Sequence, residues 1–319
     1  MTAAANRLYC KQSPPCAETQ TLIMGIVNVT ADSFSDGGRY LDPEAAIAHG
    51  LLLASEGGDI IDVGGESTRP GAERVTEQAE LERVIPVVRG LAAAGVTVSA
   101  DTMRAEVASQ AIAAGATIIN DVSSGLADAR MAGVIAAAPQ VKYVAGHWRG
   151  MPAEMDKLAV YHSVVGEVAG ELAERQAALF AAGVAPEQLI LDPNLGFAKL
   201  GHQNWQVLAG LAAIQRLGQP VLIGASRKRF LRQTLTDSVG SGVGASADLT
   251  ESAEADLDLA TAAVTALVAA AGAWAVRVHN VKASRIAADV AFRFCQGSEA
   301  QSSWAALPSR AGGANLEGE

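Results

Sequence analysis

Cysteine is nearly absent from this sequence. There are three in 319 residues, Cys10, Cys16 and Cys295, placed near the two ends with no metal-ligand spacing and with one left over in any pairing. A disulfide-stapled scaffold is thereby excluded, and a reduced, cytoplasmic chain is expected. Basic charge is also short. The formal net charge of −10 makes the molecule as a whole repel nucleic acid and anionic lipid, so neither is expected as a partner, and an anionic ligand must be met by a local group of Arg and Lys. No basic segment leads into a long apolar stretch at the N-terminus, which argues against a signal peptide. The longest uncharged run, Leu259 to Val276 ("LATAAVTALVAAAGAWAV"), is mostly alanine and divides at Gly272 into a helix-like and a strand-like half. It reads as buried core rather than as a membrane span.

What is present is alternation. Short apolar runs at 21–27, 59–63, 96–100, 116–120, 141–146, 188–192, 220–224 and 273–278 are followed by Ala-rich stretches of helical spacing, the pattern of a parallel sheet with crossover helices. Eight such units in a chain of this size predict an α/β fold, a (β/α)8 barrel over residues 21–295, between flexible tails at 1–20 and 296–319. The Gly/Ser-rich stretch 236–256 is expected as a loop over one rim. A polar residue stands at or just after the end of each run: Asn28, Asp62, Asp101, Asn120, His147, Asp192, Ser226 and His279. In a barrel these ends meet on one rim, where active sites sit.

Several loops at that rim suit an anion. In "DVGGESTRPG" (62–71), Gly64 and Gly65 permit a close turn, Thr68 offers a hydroxyl, Arg69 a fork of donors matched to phosphate oxygens, and Pro70 stiffness; taken alone, the loop reads equally as a phosphate cradle or a plain turn. "NVTADSFSDGG" (28–38) begins with Asn28, whose amide oxygen can ligate Mg2+, and carries Phe34 in a polar loop able to cover a site. In "RVHN" (277–280) strand alternation puts Arg277 and His279 on one side and Val278 on the other. Asp101, Asn120 and Asp192 suit a heterocycle with a guanidine-like edge, Phe197 adds an aromatic wall, and Lys228 adds a cation at a helix start.

The motifs "IMGIVNVTADSFSDGG", "DIIDVGGESTRPGA", "VSADT", "GATIINDVS", "GHWRG", "LDPNLGFAK", "GASRKRF" and "AWAVRVHNV", in this order over residues 22–281, resemble dihydropteroate synthase, with "HWRG" and "LGFAK" most like the actinobacterial branch. The resemblance implies a TIM-barrel homodimer, a transferase that joins hydroxymethyl-dihydropterin pyrophosphate to p-aminobenzoate in folate synthesis. It places the Mg2+ ligand at Asn28 and the pterin contacts at Asp101, Asn120, Asp192 and Lys228. Pyrophosphate contacts fall on Thr68, Arg69, Arg277 and His279, and the p-aminobenzoate pocket on Phe34, Pro70, Phe197 and Lys228, with Val278 also expected among the substrate-binding residues. Arg69, Lys228, Arg277 and His279 carry the chemistry. No covalent nucleophile or strong general base is needed, because the pterin can lose pyrophosphate to leave a stabilised cation and the aniline amine is already a neutral nucleophile.

The chain departs from the family pattern at four positions. Ala100 replaces a larger aliphatic residue, Asn194 a turn glycine, Asn280 an aspartate, and Arg229 the commoner serine. Asn194 is expected to take the left-handed turn conformation. Arg229 is expected to meet the p-aminobenzoate carboxylate, the alternative being solvent or a dimer partner. A pterin-binding methyltransferase module would not need Arg69, Arg277 and His279 together, and a non-catalytic paralogue should have lost part of that set.

Overall fold

The strand-forming runs place side chains alternately inward and outward. In a computed structural model that describes residues 19–30, 42–66, 74–151, 154–239 and 251–304, they form β1 (Leu22–Asn28), β2 (Ile60–Gly64), β3 (Val98–Asp101), β4 (Ile118–Asp121), β5 (Lys142–Gly146), β6 (Leu189–Asp192), β7 (Leu222–Ile223) and β8 (Ala275–Val278). All pairings are parallel, in the order β6-β5-β4-β3-β2-β1-β8-β7. A single bridge, Leu191 to Val221, joins the two outer strands, with Leu191 N donating to the Pro220 carbonyl at 2.9 Å, so the sheet closes into the expected (β/α)8 barrel.

Around it lie α1 (Pro43–Ser55), α2 (Glu77–Ala93), α3 (Ala105–Ala114), α4 (Met131–Ala136), α5 (Val164–Ala181), α6 (Gly201–Ala209), α7 (Leu211–Gln215), α8 (Arg229–Val239), α9 (Glu251–Ala270) and α10 (Val281–Trp304). Their starts are written locally. Asp42 caps α1 through Glu44 N with Pro43 in the first turn, and Thr76 caps α2 through Ala79 N. The uncharged run divides as its composition predicts: α9 ends, Gly272 turns at φ +81°, and β8 follows. No helix among the described residues is long and apolar enough to cross a membrane.

Two expected boundaries move. α10 continues to Trp304, past residue 295, and the 236–256 stretch contributes the end of α8 and the start of α9, leaving only 240–250 outside the described residues. Gly297 does not stop α10, since a glycine inside a helix costs only about 1 kcal/mol.

The core has two parts. Outward-facing strand residues such as Ile61, Val63, Ile119, Leu191 and Val276 pack against the helices, while Met24, Ile60, Ile118, Val144, Ile190, Leu222 and Ala275 fill the barrel interior. That interior layer is the floor of the site, and the side chains one inward step further along each strand stand directly above it.

Candidate active site

Two residues beyond the floor come Asp62 above Ile60, Asn120 above Ile118, Asp192 above Ile190 and Arg277 above Ala275, with Asp101 beside Asn120 in the β3–β4 register. Polar groups thus form a ring over a dry base. Gly146 and Gly224 occupy the same level; at Gly146 the space is taken by the Asn194 side chain, whereas Gly224 leaves it open, a Cβ there meeting Arg277 Cβ and Asp192 Oδ2 only at 3.9 Å each.

Arg277 sits inside the ring. Its Nε donates to Asp62 Oδ2 at 2.6 Å and its Nη2 to Asp101 Oδ2 at 2.7 Å, while Asn120 Nδ2 donates to the same Asp62 oxygen at 3.1 Å. Burial opposes the Arg277 charge, but Asp62 and Asp101 outweigh it and hold its pKa above the ordinary value. Burial raises Asp101 against the pull of Arg277, and the neighbouring Asp62 charge adds to the rise. Burial likewise raises Asp192, with Lys228 working the other way. Asp62 Oδ1 is buried with no hydrogen-bond partner, an acceptor left over in the ring.

Lys228 comes from the β7–α8 turn. Its Nζ donates to the Leu195 carbonyl and lies 4.8 Å from the Phe197 ring centroid. Burial pushes its pKa down to about 8. The turn is held from outside by Arg227, at φ +55°, whose guanidinium makes two bonds to Asp258 (2.8 and 2.9 Å) and one to Glu254 (3.0 Å). Asn280 joins this group, donating to Asp258 Oδ2 at 3.2 Å and accepting from Ala283 N at 3.0 Å to cap α10. Asn280 is thus a helix cap beside a carboxylate supplied by α9. Ser226 Oγ accepts from His279 N at 3.1 Å and lies 2.9 Å from His279 Nδ1, so it fixes the imidazole from both its backbone and its ring.

The structure brings together Asp101, Asn120, Asp192, Lys228, Arg277 and Phe197, with His279 just past the end of β8 and Asn28 at the end of β1, in register with Gly64. Two expected residues fall elsewhere. Val278 is buried in the apolar layer between barrel and helices, because strand alternation turns its side chain away from the face that Arg277 occupies. Arg229 is 62 % exposed and pairs with Asp156 at 3.2 Å, outside the ring. Phe34, Thr68, Arg69, Pro70 and both rim loops that carry them lie outside the described residues. The roots of the second loop are fixed nonetheless: Glu66 accepts from Arg74 at 3.0 Å and from Arg104 at 2.6 Å, and Arg104 also bonds Glu80.

Sequence reasoning left three features without a role. Asp62 and His147 stand out in the sequence only as polar strand ends, and Lys199 only as a letter of "LGFAK". The structure joins His147 and Lys199 at 2.9 Å beneath the Phe197 loop. Glu171, in the middle of α5, pairs with His147 and carried no signal of its own.

The family model for pterin binding enzymes matches residues 24–279. A dihydropteroate synthase of Mycobacterium leprae is 50 % identical over 263 residues, covering 82 % of this chain and 89 % of that protein, in keeping with the actinobacterial-like motifs. Among solved structures, Xanthomonas albilineans dihydropteroate synthase with 4-aminobenzoic acid superposes with a TM-score of 0.74 at 38 % identity, covering 92 % of this chain and 100 % of that one. The same enzyme in complex with 7,8-dihydropteroate gives a TM-score of 0.72 at 36 % identity, covering 91 % and 95 %.

Proposed function

This chain belongs to the pterin-binding enzymes and, among them, to the dihydropteroate synthase family, and from that premise we propose how its residues divide the work. It is a transferase of folate biosynthesis: it condenses hydroxymethyl-dihydropterin pyrophosphate with p-aminobenzoate, giving dihydropteroate and pyrophosphate. The observation that carries the assignment of roles is the ring of Asp62, Asp101, Asn120 and Asp192 around Arg277 above an apolar floor.

The carboxylates and the Asn120 amide take the donor-rich edge of the pterin, the unpartnered Asp62 Oδ1 accepting one of its N–H groups. Lys228 lies over the ring's outer side, and Phe197 forms a wall for the aminobenzoate. His279 and Arg277 meet the leaving group; the family assignment gives Thr68 and Arg69 to the same pyrophosphate and Phe34 and Pro70 to the aminobenzoate. As the C–O bond to pyrophosphate breaks, negative charge grows on the bridging oxygen. These cations and donors stabilise it more strongly than they stabilise the bound substrate, which is what lowers the barrier. The neutral aniline nitrogen then forms the new C–N bond and releases its proton.

Mg2+ fits as a companion of the pyrophosphate. Asn28 would bring one neutral amide oxygen, the kind of donor Mg2+ takes when it accompanies substrate phosphates and keeps water among its ligands. When bound, the ion supplies positive charge against the departing oxygens.

The homodimer reading is supported by exposed apolar side chains on the last two helices. Leu259 and Leu267 lie on α9, and Ile286, Val290 and Phe294 lie at helical spacing on α10. Light scattering should give twice the chain mass, and Phe294→Glu should halve it. The cytoplasmic reading rests on the scarcity of cysteine.

The experiment that tests the function is pyrophosphate release from the pterin substrate with and without p-aminobenzoate. Release that depends on the amine is expected. Absence of release under both conditions would favour a binding paralogue.

A further inference from the structure

The loop after β6 holds an awkward backbone. Asn194 (φ +49°), Gly196 (φ +79°) and Ala198 (φ +49°) all lie in the left-handed region, which only the glycine enters freely, so the surroundings must keep the other two there. The same few residues supply the Phe197 ring and the Leu195 carbonyl that accepts from Lys228.

Two arms reach this loop from the "HWRG" segment. In the first, the Lys199 amine, 1 % exposed and with its pKa pushed by burial down to about 7, stands within hydrogen-bond reach of three acceptors: His147 Nδ1 at 2.9 Å, the Phe197 carbonyl at 3.0 Å and the Asn194 carbonyl at 3.3 Å. Since His147 Nδ1 accepts, its proton is on Nε2, which donates to Glu171 Oε2 at 2.9 Å. In the second, Arg149 donates to Glu171 and stacks 3.8 Å over the Tyr161 ring, and Tyr161 Oη donates to the Ala198 carbonyl at 2.9 Å. Both arms start at Glu171 on α5 and end on the backbone that displays Phe197.

A lysine amine, charged or neutral, is a poor filler for a buried space. An apolar side chain of the same length would pack there without desolvating a polar head, so what Lys199 adds is direction: contacts to the Phe197 and Asn194 carbonyls and to His147 that fix one backbone path. We propose that Lys199 is a positioning residue for the aminobenzoate end of the site, holding the 194–199 loop so that Phe197 and the Leu195 carbonyl stand where the amine substrate and Lys228 need them. The proposal rests on Phe197 forming the aminobenzoate wall.

Steady-state kinetics of Lys199→Met, Phe197→Ala and the double variant test it. Lys199→Met is expected to raise KM for p-aminobenzoate about three- to tenfold, with kcat and KM for the pterin pyrophosphate close to wild type. In the Phe197→Ala background it should add little, since the ring it places is gone. A raised KM in Phe197→Ala with an unchanged one in Lys199→Met overturns the positioning role alone. An unchanged KM in Phe197→Ala removes the wall assignment and the proposal with it. Equal losses for both substrates in Lys199→Met would mark a general structural role and also overturn it. Should Lys199→Met fail to fold, Glu171→Gln at the partly exposed end of the first arm is judged by the same criteria: a smaller rise in the same KM is expected, and no change refutes the proposal.

Discussion

Arg277 Nε lies 2.6 Å from Asp62 Oδ2, and this contact ties the leaving-group end of the site to the end that reads the ring. Expected from sequence as a pyrophosphate ligand acting apart from the pterin contacts, Arg277 is also the counter-charge for Asp62 and, through Nη2 at 2.7 Å, for Asp101. Its removal therefore acts at both ends. Arg277→Ala should weaken binding of a pterin lacking the pyrophosphate as well as slow turnover, and should lower stability by about 3 kcal/mol, because two buried carboxylates lose their partner. Arg277→Lys keeps the charge but not the fork and should fall between. Calorimetric titration with the truncated pterin decides the point: affinity equal to wild type in Arg277→Ala would separate the two ends after all.

Gly146 and Asn194 make a second coupled pair. Asn194 Nδ2 bridges the carbonyls of Val122 (2.9 Å) and His147 (3.1 Å), joining the ends of β4, β5 and β6, and a Cβ on Gly146 would lie 2.1 Å from that nitrogen. Gly146→Ala should destabilise the fold by about 1–3 kcal/mol through overpacking. Asn194→Gly keeps the left-handed turn, and in the double variant it should recover part of the loss. Urea unfolding of the two single variants and the double gives the coupling, and strict additivity would show that the clash is relieved elsewhere.

These relationships show how far the chain's local pattern reaches. The step from Ile60 to Asp62, or from Ile190 to Asp192, is written in a period of two, so floor and ring were legible as soon as the strands were. Asn194 likewise meets its expectation at φ +49°. The same alternation already turned the Val278 side chain away from Arg277 and His279, although Val278 was expected among the substrate-binding residues. What was not legible depends on closure. Arg277 meets Asp62 across 215 positions of sequence, and no local signal marks either as the other's partner. Glu171 looks like any charged residue on a half-exposed helix until β5 brings His147 and Arg149 against it.

Arg229 is a similar case. Its place after Lys228 at the start of α8 suited the aminobenzoate carboxylate, but the folded chain offers Asp156 at 3.2 Å, with both side chains well exposed. Pairs of this kind contribute about 0–1 kcal/mol. Arg229→Ser is therefore expected to change KM for p-aminobenzoate by less than about twofold and to leave stability within about 0.5 kcal/mol. Kinetics at saturating pterin pyrophosphate, repeated with aniline, are the check. A selective rise in KM for the carboxylated amine would mean that the guanidinium leaves Asp156 to meet it.

Lys228 should give activity and stability opposite dependences on pH. Burial pushes its pKa down to about 8, Asp192 pulling it back up and Arg277 adding to the fall. The ammonium form donates to the Leu195 carbonyl and presents positive charge to the ring and the leaving group, so kcat/KM for the pterin pyrophosphate should decline as pH rises through about 8. Stability runs the other way. A lysine has a pKa near 10.4 in the unfolded chain, so between about 8 and 10.4 the unfolded state binds more protons than the folded state and this group's contribution makes stability increase with pH. That contribution is complete above the unfolded value and lost as pH falls through about 8. Lys228→Arg, which stays charged throughout, should retain reduced activity while shedding the alkaline decline. Parallel measurement of kcat/KM and of urea midpoints from pH 6 to 10, in wild type and Lys228→Arg, separates the curves; an alkaline decline that persists unchanged in Lys228→Arg would assign the titration to another group.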